Sequence, residues 1–321
     1  MIRKLNIHGY KSIDDLSIDC GRITLLTGGN MSGKTAVMEA LLLGGWKHSA
    51  GLPSLDAEFS DVYNSRSEGP ITIETVNDDG ISRRIVFCGD GTVVSSARPA
   101  DTFVYIPLAK THLRQRDGLC IIDSDVSNTY SLKWINLPDG ETSLPDGMDA
   151  WVERVTGLSL EHDNSDPKGH FSFRRRESGR LVRRTVSSAG VIRAVKIIYA
   201  CLASPKDAVI CIEQPEAFLY PAAQSELAKF LYHTAAGGRQ VFIETNSENV
   251  FNALRTGIVK KEIRVEDASV NYLVLDGQTY TTKCNPVRIV RYGNLQGMNE
   301  DMTLDGFFDQ YSKDLDVMLG L

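Results

Sequence analysis

Residues 28–35 read Gly28-Gly29-Asn30-Met31-Ser32-Gly33-Lys34-Thr35, a glycine-bounded loop closing on a lysine and a hydroxyl. The compact apolar run before it, residues 23–27, predicts a strand, and Ala36, Val37, Ala40, Leu41 and Leu42 after it fall at helical spacing. A glycine-rich turn between strand and helix lets successive backbone N–H groups face one anion at the helix N-terminus, where the helix dipole favours negative charge. Gly28, Gly29, Asn30, Met31, Ser32 and Gly33 supply that cradle. Lys34 is placed to reach the β- and γ-phosphates of a nucleotide, and Thr35 to offer its hydroxyl to Mg²⁺. Context carries this reading, since a glycine-rich strand-to-helix turn alone is only a turn.

Outward from the loop, residues 2–7 alternate apolar and polar, residues 16–18 form a short strand, and Gly44-Gly45 marks the end of the first helix. Residues 71–76 and 81–87 flank the turn Asn77-Asp78-Asp79-Gly80, and Gly89-Asp90-Gly91 marks another turn. Residues 51–100 are therefore expected to be a small antiparallel β lobe inserted into the chain. Residues 101–187 are expected to form a second lobe, with a strand at 102–106, a short helix at 149–155 stopped by Gly157, and a hairpin of residues 170–176 and 180–186. Residues 188–321 alternate more regularly. A helix at 190–202, a strand at 208–212, a helix opened by Pro221, a strand at 240–244 and a helix at 247–254 succeed one another. That alternation predicts an α/β fold with a doubly wound, mainly parallel sheet in one unit spanning residues 1–321. No internal repeat and no heptad run long enough for a coiled-coil arm is present.

Composition narrows the function classes. Apolar residues make up 42% and charged residues 24%, the balance of a globular protein rather than a disordered or disulfide-built one. The 35 Lys+Arg against 41 Asp+Glu give a net charge of −6, so nucleic-acid binding would need a local basic patch. No apolar run approaches the roughly 20 residues of a membrane span, and residues 1–10 carry charges where a signal peptide is apolar. A cytoplasmic, membrane-free protein is expected. Cys20, Cys88, Cys120, Cys201, Cys211 and Cys284 show no paired spacing and read as reduced thiols, with no protein-only metal centre.

A second signal lies at Val209-Ile210-Cys211-Ile212-Glu213, an apolar strand delivering a carboxylate at its end. Such an acid lies across from the phosphate loop in many nucleotide hydrolases and holds Mg²⁺. Buried strands ending in an acid are common, so the weight comes from the residues after Glu213. These are Gln214-Pro215-Glu216, then Glu244-Thr245-Asn246-Ser247-Glu248 after another apolar strand. Ser187-Ser188-Ala189-Gly190 opens a helix and is either a plain N-cap or an anion site.

Taken in order, IHGYKSIDDLSI (residues 7–18), TGGNMSGKT (27–35), VSSAG (186–190), VICIEQPEAFLYPAAQSELAKFL (209–231) and VFIETNSENV (241–250) resemble the ABC-type ATPases of the SMC/RecF/OLD group, in a compact form without a coiled-coil arm. FVYIPLAKTHLRQR (103–116) and DGFFDQYSKDL (305–315) extend the resemblance more weakly. It implies ATP and Mg²⁺ as ligands, with Thr35 and Glu213 toward the metal. It also implies a homodimer that sandwiches two nucleotides, Ser188 and Gly190 of one copy capping the γ-phosphate held by the other. Relatives act in DNA maintenance and in defence, through an effector protein or a nucleic acid.

Two departures bear on catalysis. Gln214 stands where the family usually has a glutamate that activates water, and an amide cannot accept a proton. Asn246 stands where the family usually has a switch histidine. Tyr220 likewise replaces a common histidine. With Glu213, Gln214 and Asn246 as the catalytic set, slow hydrolysis is expected, and Glu213 or Glu216 is left as base. The alternative is an ATP sensor or scaffold that does not hydrolyse and regulates an effector. A GTPase is disfavoured by the missing N-K-x-D segment, and a transporter subunit by the motifs themselves. Gln115 is a candidate for the glutamine that such ATPases place near the metal, or else an exposed loop residue. Arg174, Arg175, Arg176, Arg180, Arg183 and Arg184 form either a phosphate-binding patch or a solvated hairpin. The apolar tail Phe307, Phe308, Tyr311, Leu315, Val317 and Leu319 is expected to dock on its own domain.

Overall fold

The computed structural model describes residues 1–45, 58–96, 102–108, 119–122, 146–162, 171–175, 178–179, 181–182, 188–290, 293–296 and 306–320. Strands β1 (Ile2–Tyr10), β2 (Ile13–Asp19) and β3 (Ile23–Gly28) come first, followed by the phosphate loop and helix α1 (Lys34–Gly45). A short helix α2 (Phe59–Val62) leads into β4 (Ile71–Asn77), β5 (Ser82–Phe87) and β6 (Val93–Ser95). Then come β7 (Phe103–Ile106), β8 (Leu119–Ile121), α3 (Met148–Thr156), β9 (Leu158–His162), β10 (Phe171–Arg175) and β11 (Leu181–Val182). The last part holds α4 (Ala189–Ala203), β12 (Val209–Glu213), α5 (Pro221–Ala236), β13 (Gln240–Glu244) and α6 (Glu248–Val259). It ends with β14 (Ala268–Leu275), β15 (Thr282–Ile289), β16 (Leu295–Gln296) and α7 (Gln310–Leu319).

The central sheet runs β16-β15-β14-β3-β13-β12-β7-β8. From β14 to β8 every pairing is parallel, and β15 and β16 add an antiparallel edge. Its strands are apolar on both faces because both are covered. Ile23, Leu25, Val104, Ile106, Ile210, Ile212, Val241 and Ile243 point into one core, shared with α3, α4, α5 and α6. Their alternate neighbours, Leu26, Phe103, Tyr105, Val209, Cys211 and Phe242, point into the other core, shared with α1. The doubly wound, mainly parallel sheet expected from the alternation is thus present.

The small antiparallel lobe is a five-stranded sheet, β2-β1-β4-β5-β6, so it takes in the two N-terminal strands as well as residues 71–95. Helix α1 lies between this sheet and the parallel one, and Ala36, Val37, Met38, Ala40, Leu41, Leu42 and Leu43 are all buried. The described helix ends at Gly45, where the Gly44-Gly45 pair is expected to end it, and Gly44 also has a packing role, since a Cβ there would stand 2.7 Å from Ile73 Cγ2. Gly157 ends α3 in the left-handed conformation, at φ 71°. A third sheet, β11-β10-β9, packs beside α3, where Asp149 Oδ1 accepts from Leu160 N at 2.7 Å.

Cys20, Cys201 and Cys211 are buried free thiols. Among the described residues no helix is long and apolar enough to cross a membrane. The apolar tail divides in two. Phe307 is buried edge-on against Phe251 and Tyr272, and Phe308 stacks on Phe251. Helix α7 beyond it does not dock: Val317 is 78% and Met318 71% exposed. Among the described residues of the tail, the expectation of docking holds for the phenylalanine pair, which packs on Phe251 of α6. Phe307→Ala should accordingly cost about 3–5 kcal/mol in urea unfolding, while Met318→Ser should stay within about 0.5 kcal/mol of the parent. Comparable losses at both positions would show that α7 is packed in solution.

Candidate functional site

The phosphate loop is shaped by its neighbours as much as by its own glycines. Gly28 has φ 147°, Met31 φ 64° and Gly33 φ 95°. A Cβ at Gly28 would stand 2.1 Å from Leu273 O, and one at Gly33 would stand 2.3 Å from Thr282 Oγ1. The β14–β15 hairpin therefore backs the loop, and only glycine fits at either point. The β1–β2 turn closes the same wall: Ser12 Oγ and Thr282 Oγ1 are hydrogen-bonded at 2.8 Å, and Thr282 N donates to Ser12 O at 2.7 Å.

Lys34 is buried and curls back over the loop, where Nζ donates to Gly28 O at 3.0 Å and Gly29 O at 2.8 Å. Burial lowers its pKa, against the pull of the Glu244 and Glu216 carboxylates. Ser32 Oγ is buried without a hydrogen-bond partner. Asn246, with its amide nitrogen turned toward the loop, donates to Gly28 O at 3.0 Å and Thr245 O at 3.3 Å. Asn246 thus touches the first loop glycine.

Strand order decides which acid meets Thr35. β13 lies between β3 and β12, with Glu244 level with Leu26 and Glu213 level with Glu244. At about 4.8 Å per strand, Glu213 is two strands from the loop and Glu244 one. Thr35 Oγ1 accordingly donates to Glu244, with its two carboxylate oxygens at 3.1 and 3.3 Å. Glu213 turns the other way. Its oxygens accept from the Tyr105 hydroxyl and, at 2.9 Å, from Leu108 N. Glu216 caps the next turn, where Oε1 accepts from Thr245 Oγ1 at 2.8 Å and Asn246 N at 3.0 Å. Its Oε2 is buried and unpartnered. Gln214 sits between these acids in the left-handed region, at φ 39°, with its N–H donating to Glu244 O at 2.7 Å. A non-glycine residue held there is strained.

Helix α4 reaches this acid group through a residue that the sequence motifs do not single out. Arg193 is buried; Nη1 donates to Pro107 O at 2.9 Å and Nη2 to Glu213 O. At the N-terminus of the same helix, Ser188 is exposed and caps it, accepting from Val191 N at 3.4 Å. Gly190 is buried against the Phe218 carbonyl, 2.3 Å from where its Cβ would be, so this glycine lets the helix start lie on the turn after Glu216. Ser187, Gln115, Arg176, Arg180, Arg183 and Arg184 lie outside the described residues. Arg174 Nη1 donates to Gly179 O at 2.6 Å, closing the hairpin, and Arg175 is exposed.

Glu244 is pushed up to about 7 by burial first, then by the charge of Glu213, against the opposing pull of Lys34 and the Thr35 hydrogen bond. Glu216 is also raised, chiefly by burial. A carboxyl raised in the folded state stabilises the fold fully below the unfolded value of 4.5 and loses that contribution as pH rises through about 7. Each tenfold change in proton affinity is worth ~1.4 kcal/mol. Nucleotide-free protein should therefore lose thermal stability from pH 5 to 8, and Glu244→Gln should flatten that fall. A parent protein whose Tm rises over the same interval would contradict the burial of Glu244.

Chemically, the site offers a ring of loop amides for an anion, a lysine and a threonine at its foot, two carboxylates on adjacent strand ends and a third, Glu216, in the turn after β12. Within this group the Ser32 hydroxyl and one Glu216 carboxylate oxygen are buried without a hydrogen-bond partner.

Comparison with known proteins agrees with this geometry. A family model described as "AAA domain, putative AbiEii toxin, Type IV TA system" matches residues 111–252, and a second AAA-domain model matches residues 4–133. No curated protein matches in sequence. Among solved structures, an Smc head bound to the C-winged helix domain of ScpA superposes with a TM-score of 0.63 at 13% identity, over 90% of this chain and 98% of that one. An Smc head with an extended coiled coil, bound to the C-terminal domain of ScpA derived from Pyrococcus furiosus, gives 0.61 at 11% identity over 99% of both chains. The SMC head domain from Thermotoga maritima gives 0.54 at 12%, over 90% of this chain and 99% of that one. Two AAA-domain models thus each match a part of the chain, and its fold is that of the SMC head domains.

Proposed function

We propose that the protein binds ATP with Mg²⁺ and acts as an ATP-gated dimeric switch with slow hydrolysis. The observation that carries this reading is the foot of the phosphate loop. Lys34 and Thr35 are held on internal acceptors, beside a buried Ser32 hydroxyl that has none. A bound triphosphate supplies the missing acceptor for Ser32, charged acceptors for Lys34 in place of the loop carbonyls, and negative charge for the loop amides. When bound, Mg²⁺ supplies charge neutralisation between the phosphates, and Thr35 with a strand-end carboxylate is suited to hold it.

The remaining residues act around that ligand. Asn246 keeps an amide at the loop mouth, where it donates a hydrogen bond but brings no charge. Gln214 orients water without accepting its proton, so the base falls to a neighbouring carboxylate, and turnover is well below the ~1 s⁻¹ low end of ordinary enzymes. Ser188, exposed at the start of α4, suits capping of a second copy's nucleotide, with Gly190 keeping the helix start close to the Phe218 turn.

Two of the Smc heads that share the fold carry ScpA, which supports a protein effector, and the toxin–antitoxin wording of the matching family supports a defence role. The alternative, an ATP sensor that does not hydrolyse, draws on Gln214 and Asn246. The test is size by light scattering with and without ATP and Mg²⁺, alongside phosphate release. ATP-dependent dimers with slow release support the switch, and dimers with no release support the sensor. A monomer under saturating ATP, or rapid steady turnover, would overturn the main reading.

A further inference from the structure

Helix α7 and a groove walled by α3, α5 and α6 both lie outside the nucleotide site, and their chemistries match. Along α7, Tyr311, Leu315, Met318 and Leu319 stand at i, i+4, i+7 and i+8, which makes one apolar stripe, and all four are exposed. Apart from the Asp309–Lys313 ion pair at 2.9 Å, the charges of this helix are Asp314 and Asp316. The groove holds about 310 Å³ between Trp151 of α3, Tyr232 of α5, Ala253 of α6 and Ile263 beyond it. Trp151 is fixed there edge-on to Phe230, with ring centroids 5.2 Å apart. Gly257 lets Ile263 fold onto α6, since a Cβ on it would stand 2.6 Å from Ile263 Cδ1. Arg154, Lys229 and Lys260 also line the groove, against the single acid Glu262. Glu226 lies 2.5 Å from both Arg154 Nε and Lys229 Nζ, so the rim still keeps a positive balance.

We propose that this groove seats α7 of a second copy, in a reciprocal two-fold exchange that forms without nucleotide. A helix that lays i, i+4 and i+7 anchors into an apolar groove is a recurring mode of recognition. An acidic helix here meets a cationic rim on a chain whose net charge is −6, so the complementarity is local and not a property of the whole surface. The two are not joined within one copy. The segment before α7 is anchored on α6 through Phe307 and Phe308 against Phe251; beyond it α7 stands exposed and the groove open. Two-fold symmetry makes the contact twice, and the second closes at high effective concentration. With only 10 residues of helix given by each copy, the dimer is micromolar and separates before the chain unfolds. The small cost expected of Met318→Ser in urea therefore stands.

The test is sedimentation of the full chain in EDTA, without nucleotide, across the micromolar range. The parent should be a dimer at the upper end and dissociate on dilution. Leu315→Asp, which sets a charge on the apolar floor, should raise the dissociation constant about tenfold or more. Lys229→Glu with Lys260→Glu, or Asp314→Lys with Asp316→Lys, should each raise it about tenfold, and all four together should return it to within about threefold of the parent. A parent that stays monomeric, a dimer that Leu315→Asp leaves intact, or reversals that add instead of cancelling would each overturn the proposal. If Leu315→Asp is not folded by circular dichroism, Leu315→Ser serves under the same threshold. ATP binding by the Leu315 variant should equal the parent's. No nucleotide enters the sedimentation, so a monomer there leaves the ATP reading standing, and loss of the ATP reading leaves this contact standing.

Discussion

Arg193→Leu is expected to cost about 3–5 kcal/mol of folding stability, the range for breaking a buried charge pair from one side. The guanidinium lies under α4 with one arm on Pro107 O at 2.9 Å and the other on Glu213 O. Leucine fills the volume but leaves both carbonyls without a donor, each worth about 1–3 kcal/mol when buried. It also leaves Glu213 and Glu216 without a cation that interacts with both. Arg193→Lys keeps the charge but cannot fork to two carbonyls, so it should recover part of the loss and not all. Urea unfolding with an unchanged m-value reads the effect. A Leu variant within about 1 kcal/mol of the parent, inside the ordinary spread of point mutants, would mean that the acid group is not held through α4.

Lys34→Ala is expected to weaken ATP binding by about a hundredfold or more, equivalent to ~2.7 kcal/mol or more. In the free protein the ammonium is parked on Gly28 O and Gly29 O. On those acceptors it makes hydrogen bonds to neutral carbonyls only, and Glu244 and Glu216 act on it through space. Over a triphosphate it becomes the buried cation facing several negative oxygens, and charge-assisted bonds of that kind are about twice as strong as neutral ones. Lys34→Met keeps the buried stem and should lose affinity nearly as far as alanine, which separates charge from packing. Titration with a fluorescent ATP analogue measures both. Retention of affinity within about threefold in either variant, under ~0.7 kcal/mol, would place the phosphates elsewhere.

How far the sequence is legible depends on where the information lies. The phosphate loop, the strand ending at Glu213 and the strand ending at Glu244 are readable because each is a short apolar run closed by a chemically distinct residue. The strand order is not: that β13 stands between β3 and β12 is a property of pairing, and it changes which carboxylate meets Thr35. Arg193 is hidden for a similar reason, since an arginine in an apolar helix gives no local sign that it will be buried. The β14–β15 hairpin escapes because β15, Thr-Lys-Cys-Asn-Pro-Val-Arg-Ile, mixes a proline and two charges into its strand. Its turn, Asp276-Gly277-Gln278-Thr279, is the available signal. Gly190 reads in the sequence as part of an anion site, and the structure adds a packing need at the same position.

Helix α1 has almost no side turned to solvent: one sheet lies along its upper flank and another along its lower, with Gly44 seated on Ile73 at the far end. A rod so enclosed, about 18 Å long over its 12 residues, moves as a piece with whatever grips it. Any displacement imposed at the charged end, where the anion would sit, must therefore be felt by β4 at the opposite end. The outer sheet is the part of the molecule from which a distant observer would read that the inner end had been loaded.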